Sequence, residues 1–337
     1  MGHGVRPPLP TELQVEVTGA CNLACRMCLV SYRPKLGKAQ GAMSFDLFKR
    51  VVDDLPRLEK LTLQGLGEPL LAPDLLRMVE YASGRGVRVG FNTNGTLLTE
   101  ERAERLVTAG LDWLHVSLDG ATAATYEHVR RGSDFETVAR NVRGLVAVMR
   151  RLEAERPLLS LVFVAMRRNL AELPDLVRRA HEWGVGRLFV QNLSHSFSDT
   201  DPADGYAGIR EYAQDEALWG EGDGRQAEAV FGEARGLADD LGVELRLPRL
   251  EEPPPRPRAH GTPGCHWPFG SAYVTHDAKV QPCCMVMGSD RAVLGEVGAG
   301  GFEAVWTGED YRAFREGLLG GDPPAVCRGC SLYRGVF

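Results

Sequence analysis

Apolar and polar residues alternate over a short run near the start of the chain, "LQVEV" (13–17), the pattern of a half-buried strand. Five further β-branched and aliphatic runs follow: "KLTLQG" (60–65), "VRVGFNTN" (87–94), "WLHVSLD" (113–119), "LLSLVFVAM" (158–166) and "RLFVQNL" (187–193). Between them the apolar spacing turns helical, in "SFDLFKRVVDDL", "APDLLRMVEYASGRG", "TEERAERLVTAG", "FETVARNVRGLVAVMRRLEAE" and "NLAELPDLVRRAHEWG". Several of these open on Ser, Thr or Asn and close on Gly, as helix N-caps and C-terminal turns prefer. Strand and helix thus alternate six times over residues 13–193. That order predicts an α/β fold with a parallel sheet and right-handed crossovers.

Beyond residue 194 the alternation stops. "SHSFSDTDPADGYAG" reads as a polar loop, a Glu- and Ala-rich helix is expected over 225–241, and "LPRLEEPPPRPRAHGTPG" reads as a stiff, extended linker. Residues 265–330 then carry five cysteines with little helical periodicity, as a small domain organised by metal would. The expected division is 1–194 for the α/β core, 195–264 for a connecting and capping segment, and 265–337 for the cysteine-rich module.

Composition narrows the chemistry. At 337 residues, 44% hydrophobic and 25% charged, the chain is of ordinary globular type, one large domain or two modest ones. A net charge of -6 offers no basic footprint for nucleic acid. No apolar run reaches the roughly 18 residues that span a membrane, and "MGHGVRPPLPTELQ" lacks the apolar centre of a secretory signal. A cytoplasmic address is the expectation, where eight cysteines serve as metal ligands or reactive thiols rather than disulfides.

Three of them, Cys21, Cys25 and Cys28, crowd into one loop just after the first strand, in a C-x3-C-x2-C pattern. Three thiolates on one loop can chelate a soft metal from one side. A structural zinc needs a fourth ligand, and His115 and His128 lie far along the chain. A [4Fe–4S] cluster held by three cysteines instead leaves one iron open, which is useful where a small molecule binds that iron.

On this loop and its setting the sequence resembles the radical S-adenosylmethionine (SAM) superfamily, over nearly the whole chain. The resemblance implies a partial (β/α)6 barrel of the TIM type and a [4Fe–4S] cluster on Cys21, Cys25 and Cys28. It further implies SAM bound to the open iron, and a 5′-deoxyadenosyl radical that takes hydrogen from a substrate. "QGLGEPLL" matches the family's Gly-Gly-Glu-Pro at the end of the second strand, with Leu66 in place of the first glycine. Glu68 would then accept from the SAM amino group, with Gly67 allowing close approach and Pro69 completing the motif. "NTNG" (92–95) and "SLDG" (117–120) end the third and fourth strands, at the mouth where barrel sites are built. Asn94 and Ser117 are candidates for ribose or carboxylate contacts, the Met27 backbone for adenine, and Arg130 or Arg131 for the carboxylate. A dinucleotide fingerprint in "GLGEPL" is discounted, because its third glycine is Leu70.

Cys265, Cys283, Cys327 and Cys330 form a second set, spaced C-x17-C-x43-C-x2-C, with "YVTHDAKVQPC" expected as a hairpin. Four thiolates suit zinc or a fully ligated cluster equally well. The two segments resemble the auxiliary-cluster modules called SPASM and, in its shortened one-cluster form, twitch. The sequence ends seven residues after Cys330, which matches the shortened form. A second [4Fe–4S] cluster is therefore expected, serving in electron transfer or structure. Cys284, next to Cys283, is a candidate hydrogen donor.

The expected activity is a net oxidation, a dehydrogenation, of a small molecule in natural-product or cofactor assembly, with the auxiliary cluster taking the second electron. Few residues precede the first strand, which favours a small molecule over a peptide held by an N-terminal recognition domain. The alternatives are an epimerase, a peptide-maturing enzyme of the same superfamily, or a non-catalytic zinc-binding scaffold. A flavodoxin- or ferredoxin-type reductant is implied by the family. His195, at the mouth of the sixth strand, is a candidate substrate contact.

Overall fold

A computed structural model of the chain describes residues 6–32, 41–193, 197, 200, 205–218, 223–250 and 264–334. His195 and most of the proline-rich linker lie outside the described residues. The six expected strands all form: β1 Glu12–Val15, β2 Lys60–Thr62, β3 Arg88–Thr93, β4 Trp113–Ser117, β5 Leu158–Ala165 and β6 Arg187–Asn192, each parallel to the next. The crossovers carry α1 Phe45–Asp53, α2 Leu75–Gly84, α3 Glu100–Thr108, α4 Ala123–Val129, α5 Phe135–Arg151 and α6 Leu173–Glu182. Four of these helices are capped as their sequences suggest. Ser44, Thr99, Thr122 and Asp134 accept, through their side chains, from the backbone N–H groups of Leu47, Arg102, Thr125 and Thr137. The helices bury faces such as Phe48, Val51 and Val52 of α1 in one core that runs the length of the sheet.

α7 Ala207–Glu216 and α8 Asp223–Leu241 follow, and then β7 Glu244–Arg246, which extends the sheet in parallel beyond β6. Sequence periodicity did not disclose β7, because a three-residue strand without a fully buried position has no alternation to show. The expected C-terminal hairpin forms as β8 Ser271–Val274 and β9 Lys279–Gln281, with β10 Gly295–Glu296 antiparallel to β9. β8 pairs in parallel with β1, so the cysteine-rich module is stitched to the first strand of the open barrel and one ten-stranded sheet results. Further ties hold it there. Arg315, 0% exposed, packs on the neighbouring rings of Trp306 and Tyr311 at 4.1 and 4.3 Å and donates to the Pro268 and Trp306 carbonyls. Trp306 Nε1 donates in turn to the Pro8 carbonyl ahead of β1, 3.0 Å away.

On β4, Leu114 and Val116 pack into the helix-side core, while Trp113, His115 and Ser117 occupy the other face. The His115 ring lies 4.6 Å from Trp113 and 5.4 Å from Phe189 of β6. Gly90 of β3 makes room for the indole, since a Cβ there would meet it at 2.2 Å. Burial first, then Lys60, Arg246 and Arg187, holds His115 neutral by lowering its pKa to about 4. Among the described residues no helix is long and apolar enough to cross a membrane.

Candidate active site

The Cys21–Cys28 loop leaves the C-terminal end of β1 and hangs from the residues that close α4. Ala24 N donates to Arg131 O and Arg26 N to Val129 O, both at 2.9 Å, and Arg26 Nε reaches His128 O at 3.0 Å. Cys25 is buried and Cys21 and Cys28 are half-buried. Burial pushes the Cys25 thiol up to about 12, against the pull of Arg130 and with the neighbouring Cys28, Asp119 and Cys21 adding to the rise. Burial raises Cys21 as well, and Cys28 and Glu68 add to it. Cys21 and Cys25 are thus neutral thiols that must lose a proton to bind metal. Among the described residues no three His, Cys, Asp or Glu side chains are gathered on a single ion. A cubane takes each thiolate on a different iron, so its ligands need not converge that tightly.

Glu68 is 2% exposed, and every part of its carboxylate is aimed by a strand end. Oε1 accepts from Thr93 Oγ1 at 2.6 Å and Leu70 N at 3.1 Å, and Oε2 from Asn94 N at 2.8 Å. Burial still pushes its pKa above the ordinary carboxylate value. Asn94 spends its side chain locally, donating to Asn22 Oδ1 at 2.9 Å and, at 4.0 Å, to Cys21 Sγ, while accepting from Thr96. Pro69 opens a one-turn 3-10 helix for which Glu68 is the N-cap. The close approach at Gly67 is to protein backbone: a Cβ would meet Thr18 O at 2.2 Å and Ala20 O at 2.5 Å, and Glu68 N donates to Ala20 O. Gly67→Ala is therefore expected to push the two loops apart and to cut the SAM cleavage that the resemblance implies by roughly 10²-fold. Counting 5′-deoxyadenosine per cluster in the purified variant checks it.

Arg130 is buried beside Cys25, its Nη1 3.9 Å from the sulfur and its Nη2 2.7 Å from Asp119 Oδ2. Asp119 is 0% exposed, and its Oδ1 accepts from Val164 N at 2.8 Å. Burial works against the guanidinium charge, but Asp119 and then Cys25 more than offset it and raise its pKa. Arg130 Nε is a buried donor with no partner, a cradle for something anionic at the loop. Arg131 is exposed. Ser117 ends β4 half-buried. Met27 packs on the cluster of Leu193, Ala213 and Ala217. Cys21, Cys25, Glu68, Asn94 and Arg130 are thus brought together, with Ser117 on a neighbouring strand end.

In the C-terminal module, Cys283 and Cys284 both feel Cys330 and Cys265, and burial raises both thiols, Cys284 to about 12. The Cys330 N–H donates to the Cys327 carbonyl at 3.2 Å in the turn of "CRGC". Cys284 therefore belongs to the same thiol group as Cys265, Cys283 and Cys330.

Three residues near the site escaped sequence reasoning: Asp119, Glu16 and His276. Asp119 was visible within "SLDG", and Glu16 as a polar position in the alternation of "LQVEV", but neither has a motif of its own. His276 is brought to Glu16 only by the pairing of β8 with β1.

The radical SAM superfamily model matches residues 15–180, and that of the iron–sulfur cluster-binding domain SPASM matches residues 265–331. The chain belongs to the radical SAM superfamily. The thiol sets and the orphaned Arg130 donor suit its cofactors: a [4Fe–4S] cluster with SAM, and an auxiliary iron–sulfur cluster in the SPASM module. The chain is 32% identical over 188 residues to a tungsten-containing aldehyde ferredoxin oxidoreductase cofactor-modifying protein of Pyrococcus furiosus, covering 54% of this chain and 51% of that one. It thus spans about half the length of that relative. To an AdoMet-dependent heme synthase of Methanosarcina barkeri it is 29% identical over 342 residues, 95% of this chain and 91% of the relative. Among solved structures, SuiB of Streptococcus suis bound to the precursor peptide SuiA shares the fold, with a TM-score of 0.68 at 15% identity over 97% of this chain and 70% of that one.

Proposed function

We propose that this radical SAM protein oxidises a small molecule in cofactor or natural-product assembly, with the auxiliary cluster accepting the second electron. When bound, the reduced cluster and SAM supply a 5′-deoxyadenosyl radical that removes a substrate hydrogen atom. Cys21, Cys25 and Cys28 would hold that cluster, and Cys265, Cys283, Cys327 and Cys330 the auxiliary one. Glu68 Oε2, with one acceptor site taken by Asn94 N, keeps capacity for the SAM ammonium. Gly67 and Pro69 shape the loop that aims it. Asn94 and Ser117 face the ribose or carboxylate, the Met27 backbone the adenine, and Arg130 the negative charge at the loop.

The observation that carries the oxidation is a shared apolar cluster. Leu29, which follows Cys28, packs with Tyr206 and Ile209, and Met287, three residues past Cys284, packs on the same group. Segments flanking the two thiol sets thus pack on one apolar group, which supports electron transfer between the two sites. The company Cys284 keeps, Cys330 and Cys265, supports electron acceptance over hydrogen return by an epimerase. Alignment with nearly the whole of a heme synthase supports a small substrate.

The test is an anaerobic reaction of the reconstituted protein with SAM, dithionite and deuterium-labelled cell extract, split into metabolite and protein fractions. Deuterium should enter 5′-deoxyadenosine from the metabolite fraction. Label arriving only from the protein fraction would replace this reading with peptide maturation. No 5′-deoxyadenosine from a sample holding both clusters would end the enzymatic reading altogether.

A further inference from the structure

Behind the SAM loop lies a buried polar junction that belongs to neither cysteine set. Glu16, one residue past β1 and 4% exposed, accepts three hydrogen bonds. His276 Nδ1 lies 2.8 Å from Oε1, and the Tyr273 hydroxyl and Leu66 N each lie 3.0 Å from Oε2. Burial alone would raise this carboxyl, yet the three donors, His276 first among them, hold it below its ordinary value. An ionised Glu16 fixes the proton of His276 on Nδ1. The space is made to measure. A Cβ on Gly65 would meet the Glu16 side chain at 2.2 Å, and one on Gly41 the His276 ring at 2.9 Å.

Each donor comes from a different place. Tyr273 is on β8 and His276 in the β8–β9 turn of the SPASM module, whereas Leu66 immediately precedes Gly67 and Glu68. Leu66 carries the junction to the site. Its N–H is held by Glu16, its side chain packs beside Leu29, and the next two residues place the Glu68 carboxylate. A carboxylate that loses one buried donor is under-satisfied and shifts toward whatever remains or toward water. Such a shift would move the Leu66 N–H, and Glu68 with it.

We infer that Glu16, Tyr273 and His276 are positioning residues through which the C-terminal module sets the SAM-binding loop. Seating of the β8–β9 hairpin orients Glu16, and Glu16 orients Leu66–Glu68. An assembled SPASM module is thereby needed for tight SAM binding, apart from any electron it accepts.

The decisive comparison is SAM affinity, by equilibrium binding to the anaerobic holoprotein, in His276→Ala, His276→Asn and Tyr273→Phe. Iron and sulfide per chain are measured on the same samples. His276→Ala should weaken SAM binding about tenfold, the equivalent of one lost buried hydrogen bond. His276→Asn, whose amide can donate to Glu16 from nearly the same place, should recover most of it, and Tyr273→Phe should fall between. Amide hydrogen exchange at residues 65–68 should quicken in His276→Ala, with or without SAM. If both clusters are retained and affinity is unchanged, the inference fails. It fails equally if His276→Ala weakens SAM only in proportion to lost iron, for the histidine is then a support of a cluster site. Should His276→Ala misfold, Gly65→Ala crowds Glu16 from the barrel side alone. The inference stands if that variant reproduces the weakening with full iron, and falls if it binds SAM normally.

Discussion

Replacing Cys21, Cys25 and Cys28 together with alanine is expected to abolish SAM cleavage and to lower bound iron from about eight to about four atoms per chain, as cubane stoichiometry requires for two clusters. The loop can lose its thiols without collapsing, because its backbone is held elsewhere. Arg131 O and Val129 O accept from it, Glu68 N donates to Ala20 O, and Leu29 stays packed with Tyr206 and Ile209. Cys283 and Cys284 feel Cys330 and Cys265 of their own module, so the iron there should survive. Iron and acid-labile sulfide after anaerobic reconstitution read the result directly. A fall to zero would show that the second site depends on the first or holds no iron. The same chemistry sets a pH dependence. With Cys25 pushed up to about 12 in the metal-free protein, each ligand must release a proton, so reconstitution should weaken steadily as pH falls from 8 toward 6. A yield independent of pH would mean that the thiols are already ionised.

Much of this architecture was legible from residue order. β-branched and aliphatic runs located all six barrel strands, because most of their helix-facing positions are apolar, as at Leu114 and Val116 or Leu161 and Phe163. The thiol loop and "GEP" were legible because metal chelation and close backbone approach admit few residue types. What escaped was nonlocal. β7 is too short to show a period, and the seat of β8 on β1 joins residues some 260 positions apart, as in the Glu16–His276 contact. His115, weighed as a zinc ligand, is instead an element of the Trp113–Phe189 stack. Gly67 was read as room for cofactor, and the space it leaves is taken by the Thr18 and Ala20 carbonyls. Single-residue roles depend on what the fold places opposite them, which spacing along the chain does not encode.

The Asp119–Arg130 pair carries the second large effect, and it separates stability from cofactor binding. Asp119→Ala should destabilise the metal-free protein by about 3–5 kcal/mol, because a guanidinium is then left buried without its counter-charge. The Val164 N–H loses its acceptor in the same step. Arg130→Met alone should cost a similar amount through the stranded carboxylate. Asp119→Leu combined with Arg130→Met removes both charges, and buried pairs so replaced often lose little or even gain. The double variant should therefore regain most of the urea midpoint. It cannot regain the donor 3.9 Å from Cys25 Sγ, nor the Nε held ready beside the loop. Its first cluster should accordingly be lost faster to chelator, and its SAM affinity should stay low, while its fold is sound. Urea unfolding of the metal-free proteins, set against chelator-driven iron release from the loaded ones, distinguishes the two. Parallel recovery of both would make the pair a structural tie only. Recovered stability with impaired iron retention would place Arg130 at the cluster, where one fixed positive charge offsets the thiolates that surround it.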